Sequence, residues 1–207
     1  MSHFISPNCI FSKAAMKVGI AMEIEELINK VRQGDSAAFE GIIRLFEQKI
    51  YTYCYFLLGD RQEAEDAAQD TFFKTFQIIG TYDTKGSFTA WLYKIAENHC
   101  RNLLKRKRKW MHLLPLFRPE SQAKSAELIF SEQMGTEMPY WFSGLTIAEK
   151  KMLVLRIEED YSFEEIARIL EISTATARKR FERLKKKLRS KNKLKEGIIR
   201  HEQQLEL

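Results

Sequence analysis

The chain has few of the residues that cross-link a fold or break a helix: 3 cysteines, 4 prolines and 9 glycines among 207 residues. Three scattered cysteines, Cys9, Cys54 and Cys100, are too few for a disulfide framework or a zinc site of ordinary spacing. Cys54 and Cys100 fall on apolar helical stripes, so we expect both to be buried thiols. This use of cysteine is typical of a protein in the reducing cytoplasm.

Long apolar runs are also missing. No run approaches the roughly 18 residues that a membrane-spanning helix requires. The sequence contains no glycine-rich phosphate loop and no His/Cys/Asp spacing typical of a metal site. His99 and His112 are isolated from each other and from other ligand types. We therefore expect neither an enzyme nor a cofactor, and we expect a cytoplasmic protein.

The charge is unevenly distributed. The chain carries a net charge of +6. Residues 94–109 alone carry +6 and residues 174–195 carry +10, which leaves about −10 for the remainder. Two basic segments in an otherwise acidic chain predict two contacts with nucleic acid on a protein that also binds other proteins.

The first basic segment belongs to a predicted helix over residues 88–109, which contains neither proline nor glycine. Ser87 is placed to cap this helix. One stripe is predicted to face a core, and it contains Phe88, Leu92, Ile95, Ala96, His99 and Leu103. A second stripe is polar and basic, and it contains Lys94, Asn98, Arg101, Lys105 and Arg108. Five consecutive cations, residues 105–109, exceed what the helix dipole requires, which favours a polyanionic partner.

Three further helices are predicted before this one, over residues 23–33, 36–58 and 61–79. Residues 1–21 are interpreted as a disordered leader, and either Met1 or Met22 is consistent with the true start. The third helix has an inner face of small and apolar residues and an opposite polar face on which Phe73 stands out. Phe73 is either a lone surface aromatic or the anchor of a protein interface. A loop of glycines and small polar residues, 80–87, follows this helix.

The chain changes character after Lys109. Residues 110–139 contain three of the four prolines and have a slightly acidic balance, which predicts a linker. Capping boxes at Thr146 with Glu149 and at Ser162 with Glu165 then indicate two short helices. A turn and a basic helix that Ser173 caps complete a predicted helix-turn-helix, and residues 190–207 are interpreted as a frayed basic tail.

These motifs carry a resemblance. The stretch WLYKIAEN, from Trp91 to Asn98, and the stretch DAAQDTFFKTF, from Asp66 to Phe76, resemble the minus-ten recognition helix and the polymerase-binding segment of bacterial sigma factors. The closest subgroup is the small extracytoplasmic-function (ECF) group of the sigma-70 family. The helix-turn-helix resembles both sigma domain four and the DNA-binding domain of response regulators.

The resemblance implies roles for individual residues. Contacts with the clamp helices of core RNA polymerase are assigned to Asp66, Gln69, Asp70, Phe73 and Gln77. Minus-ten recognition and melting, with a base flipped into the loop, is assigned to Tyr82, Asp83, Lys85, Trp91, Lys94, Asn98, Arg101, Asn102, Lys105, Arg106 and Arg108. Minus-thirty-five recognition is assigned to Thr174, Thr176, Arg178, Lys179, Glu182, Arg183 and Lys186. The implied partners are core polymerase, through its clamp helices and flap, promoter DNA and an anti-sigma factor.

We therefore expect an all-α protein of two small helical domains joined by a linker. Sigma domain 2 is predicted over residues 22–109, the linker over 110–139 and sigma domain 4 over 140–189. Two alternatives make different predictions. A regulator that binds DNA without polymerase predicts an upstream domain with strands, whereas residues 22–109 show only helical periods. A nuclease requires clustered carboxylates, whereas Asp66 and Asp70 have no third acidic neighbour in sequence.

Overall fold

The computed structural model describes the backbone of residues 7–117, 142 and 144–205, and the side chains of residues 19–110, 142 and 144–190. Within these residues the regular structure is entirely helical, which confirms the predicted all-α class. The helices are α1 (Pro7–Arg32), α2 (Ala38–Leu58), α3 (Arg61–Ile78), a 3₁₀ turn (Ile79–Thr81), α4 (Phe88–Phe117), α5 (Ile147–Leu153), a π-helical turn (Val154–Glu158), α6 (Phe163–Ile169) and α7 (Thr174–Leu205).

Local sequence signals set the helix ends of the first unit, which comprises α1 to α4. Gly59 ends α2 in the left-handed conformation, with φ of 76°, and its N–H donates to the Tyr55 carbonyl. The next residue, Asp60, already caps α3 by accepting a hydrogen bond from the Glu63 N–H. Because only two residues separate the helices, α2 and α3 pack as close neighbours.

The core of the first unit lies between α2, α3 and α4. Ile42, Ile50, Leu92 and Ala96 are fully buried there. The face of α3 that meets this core carries small residues, Ala64, Ala67 and Ala68, as the sequence predicts. Small side chains allow the backbone of α3 to approach the neighbouring helices closely. The opposite face of α3 points away from the core.

The second unit, which comprises α5 to α7, is the predicted helix-turn-helix with its preceding helix. Both predicted capping boxes form, at Thr146 with Glu149 and at Ser162 with Glu165. Glu171 makes the turn before α7 with a positive φ of 53°. Ala177, on the inner side of α7, is fully buried. The second unit therefore presents a supported basic helix, as expected for this motif.

Three helices extend beyond their predicted bounds. Helix α1 begins at Pro7, within the residues interpreted as a leader; proline suits a first helical position, and the alanines and lysines that follow are good helix formers. Helix α4 continues to Phe117, past the predicted start of the linker, and residues 118–139 lie outside the described part of the chain. Helix α7 continues to Leu205 through lysines and leucines, within the predicted tail.

The two units pack against each other, which the linker interpretation did not anticipate. The Phe56 ring of α2 meets the Phe142 ring edge to face at 5.1 Å between centroids. The Tyr93 ring of α4 meets the Tyr161 ring at 5.9 Å. The ammonium of Lys49 lies over the same Tyr161 ring at 5.6 Å. Aromatic contacts thus hold the two helical units against each other.

Tyr53 places a polar hydroxyl group in the core. Its side chain is fully buried, and its hydroxyl has no hydrogen-bond partner among the residues that the structure describes. Burial raises the pKa of this hydroxyl well above its usual range, so the group stays neutral. We expect Tyr53→Phe to leave stability unchanged or raise it by about 1 kcal/mol, because a buried, unpaired hydroxyl costs about 1–3 kcal/mol.

Chemical denaturation of the purified protein measures this effect. The control is Tyr51→Phe, at a half-buried ring on the same helix. A loss of more than about 1 kcal/mol in Tyr53→Phe alone would show that the hydroxyl is hydrogen-bonded in solution.

Candidate functional site

The outer face of α3 is polar around exposed aromatic rings. Phe73 is 66% exposed, whereas the adjacent Phe72 is buried. The polar residues predicted for this face are all exposed, namely Asp66, Gln69, Asp70 and Gln77. Phe76, one turn further along, is 41% exposed and was missed by the sequence analysis, although its spacing of three from Phe73 signals a shared face. The Phe76 ring packs edge to face on Phe39 of α2, with 5.1 Å between centroids. The structure therefore exposes Phe73 and part of Phe76 beside polar side chains.

The inner side of α3 packs into the core without the residues of the outer face, which are therefore available for a partner. Thr71 and Thr75 are buried, but their hydroxyls donate to the carbonyls of Ala67 and Thr71 at 2.6 and 2.7 Å. The polar groups on the inner side are thus satisfied within the helix itself. Phe73 makes no contribution to the buried core.

The loop between α3 and α4 has a buried anchor, which corrects one predicted base contact. Tyr82 is only 6% exposed, and its ring packs on Phe88 and Trp91 with 5.3 Å between centroids in both cases. Its hydroxyl donates to the Gly86 carbonyl at 2.7 Å. Tyr82 therefore shapes the loop rather than facing a base, and Trp91 is half-buried in the same aromatic cluster. Asp83 and Lys85 are exposed as predicted.

The polar stripe of α4 divides into two parts. Its later residues are exposed and face away from the core; they are Asn98, Arg101, Lys105 and Arg108. Asn102 and Arg106, which are also assigned to minus-ten recognition, are exposed as well. The earlier part lies against the second unit, where Lys94 pairs with Glu171 at 2.6 Å. Tyr93 is buried, because Tyr53 and Tyr161 cover it from the two units.

Glu97 is the charged centre of this contact between units. Its carboxylate pairs with Lys151 of the second unit at 2.9 Å and with Arg101 of its own helix. Burial by itself raises the pKa of Glu97, but the bonds to Lys151 and Arg101 outweigh it and hold the pKa below its usual range. Glu97 is therefore ionised and bridges a cation from each unit.

Helix α7 presents the second basic surface. Arg178, Lys179, Glu182, Arg183 and Lys186 are exposed, whereas Thr174 and Thr176 are half-buried near the start of the helix. Arg178 pairs with Glu164 of α6 at 3.0 Å, and its guanidinium lies 5.8 Å from the Phe163 ring. Arg180 is also exposed, and the sequence analysis did not include it. The run of cations from 178 to 180 was the available signal.

Among the described residues, two other kinds of site are absent. None of their helices is both long and apolar enough to cross a membrane. No group of three or more His, Cys, Asp or Glu side chains among them is arranged to hold a metal ion.

Comparisons with known proteins agree with these surfaces. The sigma-70 region 2 family model matches residues 42–110, and the sigma-70 region 4 model matches residues 142–188. The ECF RNA polymerase sigma factor SigW of Bacillus subtilis is 30% identical over 186 residues, which cover 81% of this chain and 96% of that protein. The RNA polymerase sigma-H factor of Pseudomonas aeruginosa is 26% identical, over 75% of this chain and 86% of that protein.

Solved structures show the same fold. CnrH, in a complex with the cytosolic domain of CnrY, has a TM-score of 0.62 at 21% identity and covers 84% of this chain and 98% of its own. RpoE of Bartonella quintana, in a complex with the anti-sigma factor NepR, has a TM-score of 0.56 at 16% identity, covering 73% and 94%. The chain therefore belongs to the ECF sigma factors of the sigma-70 family, which bind core RNA polymerase and direct promoter-specific initiation of transcription.

Proposed function

We propose that the exposed face of α3 docks on the clamp helices of core RNA polymerase. The observation that carries this proposal is the pair Phe73 and Phe76, exposed within a rim of Asp66, Asp70 and amide side chains. Aromatic residues inside a polar rim are typical of interface hot spots. The two carboxylates then speed association with a basic partner surface.

We propose further that the first unit reads the minus-ten element and that α7 reads the minus-thirty-five element. The exposed loop residues Asp83 and Lys85 lie just before α4. The later part of α4 offers five exposed cations, Arg101, Lys105, Arg106, Arg108 and Lys109. Cations along one helix fit a phosphate backbone, and polar side chains of a loop fit an unstacked base. On α7, early residues reach base edges and later ones reach phosphates.

The proposal extends to organisation and partners. Domain 2 corresponds to residues 22–109, the linker to 110–139 and domain 4 to 140–189. The protein acts in the cytoplasm without enzymatic chemistry of its own, and an anti-sigma factor is a partner because relatives of this fold are bound to such proteins. A regulator that acts without core polymerase is not favoured, since the residues assigned to the upstream domain are helical and match sigma region 2.

The packed arrangement of the two units also has a functional role in this proposal. Glu171 pairs with Lys94, which is assigned to minus-ten DNA, and Lys151 pairs with Glu97, three residues further along α4. Promoter DNA and the second unit therefore compete for the same side of α4. We infer that the closed form binds promoter DNA weakly and that the units separate when polymerase holds the protein.

Run-off transcription with purified core polymerase on a promoter library tests the function as a whole. The first specific prediction concerns Phe73→Ala. We expect the affinity for core polymerase to fall by at least about 2 kcal/mol, while the melting temperature stays unchanged, because the ring is exposed in the free protein.

The matched control for this prediction is the neighbouring Phe72→Ala. Its ring is buried, so we expect a loss of stability of about 3–5 kcal/mol. A polymerase titration in which Phe73→Ala binds as tightly as the wild type would remove α3 as the docking face.

The second prediction separates base contacts from phosphate contacts on α7. Arg178→Ala is expected to change the preferred base at one position of the minus-thirty-five element by about 1–3 kcal/mol. Lys186→Ala should weaken all sequences alike and lower the salt dependence of binding. Base-by-base binding profiles measured at two salt concentrations distinguish the two roles, and identical profiles for both variants contradict the assignment.

The third prediction tests whether promoter DNA and the second unit compete for α4. It uses a substitution whose change of charge would by itself weaken DNA binding. Lys151→Glu makes the protein less positive, yet it repels Glu97 and opens the closed form. We expect the free protein to bind a single-stranded minus-ten oligonucleotide about fivefold more tightly, since a partly screened ion pair is worth about 1 kcal/mol.

The control is Lys185→Glu, which makes the same change of charge in an ion pair with Glu182 within α7. It should leave the affinity for the oligonucleotide unchanged or lower it. Small-angle scattering should show a larger radius of gyration for Lys151→Glu alone. Equal losses of affinity in both variants would mean that the second unit does not cover the minus-ten surface.

A further inference from the structure

The last residue of α1 reaches into the loop between α3 and α4. The Arg32 guanidinium donates to the Ile79 carbonyl through Nε at 3.4 Å and through Nη2 at 3.3 Å. The Nη2 group also donates to the Tyr82 carbonyl. The chain separations are 47 and 50 residues, so one side chain ties the end of the first helix to both ends of the loop's opening turn.

The loop is held at its other end by its own groups. The Tyr82 hydroxyl donates to the Gly86 carbonyl, and the Gly86 N–H donates to the Asp83 carbonyl at 2.9 Å. An Asp83 carboxylate oxygen accepts the Lys85 N–H at 3.0 Å. The buried Tyr82 ring rests on Phe88 and Trp91. The tip of the loop, residues 83–86, is exposed.

An arginine suits this position because its rigid fork supplies several donors in one plane, whereas a lysine offers a single point of charge. Backbone carbonyls that a fork holds cannot rotate freely, so the exposed tip keeps one shape before any ligand arrives. A loop ordered in advance loses less conformational entropy on binding and discriminates better between ligands. The hydrogen bonds of Arg32 therefore hold the loop in one position.

Arg32 lies outside the part of the chain that matches sigma-70 region 2, which begins at residue 42. We propose that Arg32 is a positioning residue for promoter recognition: it fixes the shape of residues 79–86, and so sets how strictly their tip selects one base of the minus-ten element. The inference rests on the proposed role of this loop in reading a base. Specificity then depends on a helix that makes no contact with the base itself.

The experiment measures transcription by core polymerase with each variant on a set of promoters in which each minus-ten base is changed in turn. In Arg32→Ala we expect the ratio between the best and the worst base at one position to fall by about tenfold, the size of one good base contact. Arg32→Lys should recover part of that ratio. Minus-thirty-five preferences and polymerase affinity should stay at wild-type values.

The control is Arg44→Ala, since the Arg44 side chain is 70% exposed on α2 and pairs with Glu40 across one helical turn. It should leave every ratio unchanged. Tyr82→Phe is a second variant, which keeps the buried ring and removes only the bond to Gly86. It should lower the ratio at the same position as Arg32→Ala, and it decides the question if Arg32→Ala fails to fold.

Two exposed variants, Asp83→Ala and Lys85→Ala, separate this inference from the function on which it rests. If they change a base ratio and neither Arg32→Ala nor Tyr82→Phe does, the positioning role is wrong and the loop still reads the base. If Asp83→Ala and Lys85→Ala leave all ratios intact, the loop is not the reader and both proposals fail. A uniform loss on all promoters in Arg32→Ala, with base ratios intact, would show a purely structural role and overturn the inference.

Discussion

The burial of one side of α4 is the constraint on which the other surfaces depend. Leu92 and Ala96 are fully buried against α2 and α3, which fixes the rotation of α4 about its axis. That rotation places the basic stripe on the outside and leaves Tyr93 and Lys94 facing the second unit. The same packing supports the aromatic cluster beneath the loop, because Phe88 and Trp91 belong to the first turn of α4. A single helix thus connects the core, the loop, the DNA-facing stripe and the contact between units.

Helical phase made much of this predictable from the sequence. The alternation of buried and exposed residues on α3 follows from a period of 3.6, which predicts an inner apolar face and an outer polar face that carries Phe73. Capping boxes placed the starts of α5 and α6 because their hydrogen bonds join residues only three apart. Helical periodicity and capping boxes depend only on residues a few positions apart, so the sequence is enough to predict them.

The features that the sequence did not reveal depend on contacts between distant segments. Tyr82 is buried because Phe88, Trp91 and Arg32 surround it, and its own neighbours in sequence give no sign of this. Lys94 looks the same in sequence whether its partner is a phosphate or Glu171, 77 residues away. The unexpected length of α1, α4 and α7 has another cause, since helix formers near a predicted boundary allow the helix to continue.

The rings of Phe56, Phe142, Tyr93 and Tyr161 give the closed form a response to temperature that its ion pairs do not share. Separation of the units exposes apolar ring surface to water, and the free energy that opposes such exposure weakens on cooling. The pairs of Lys94 with Glu171 and of Glu97 with Lys151 respond instead to ionic strength, because mobile ions screen them. Cold and salt therefore loosen different parts of one interface, and a cell that meets both at once would have more of this protein in its open form.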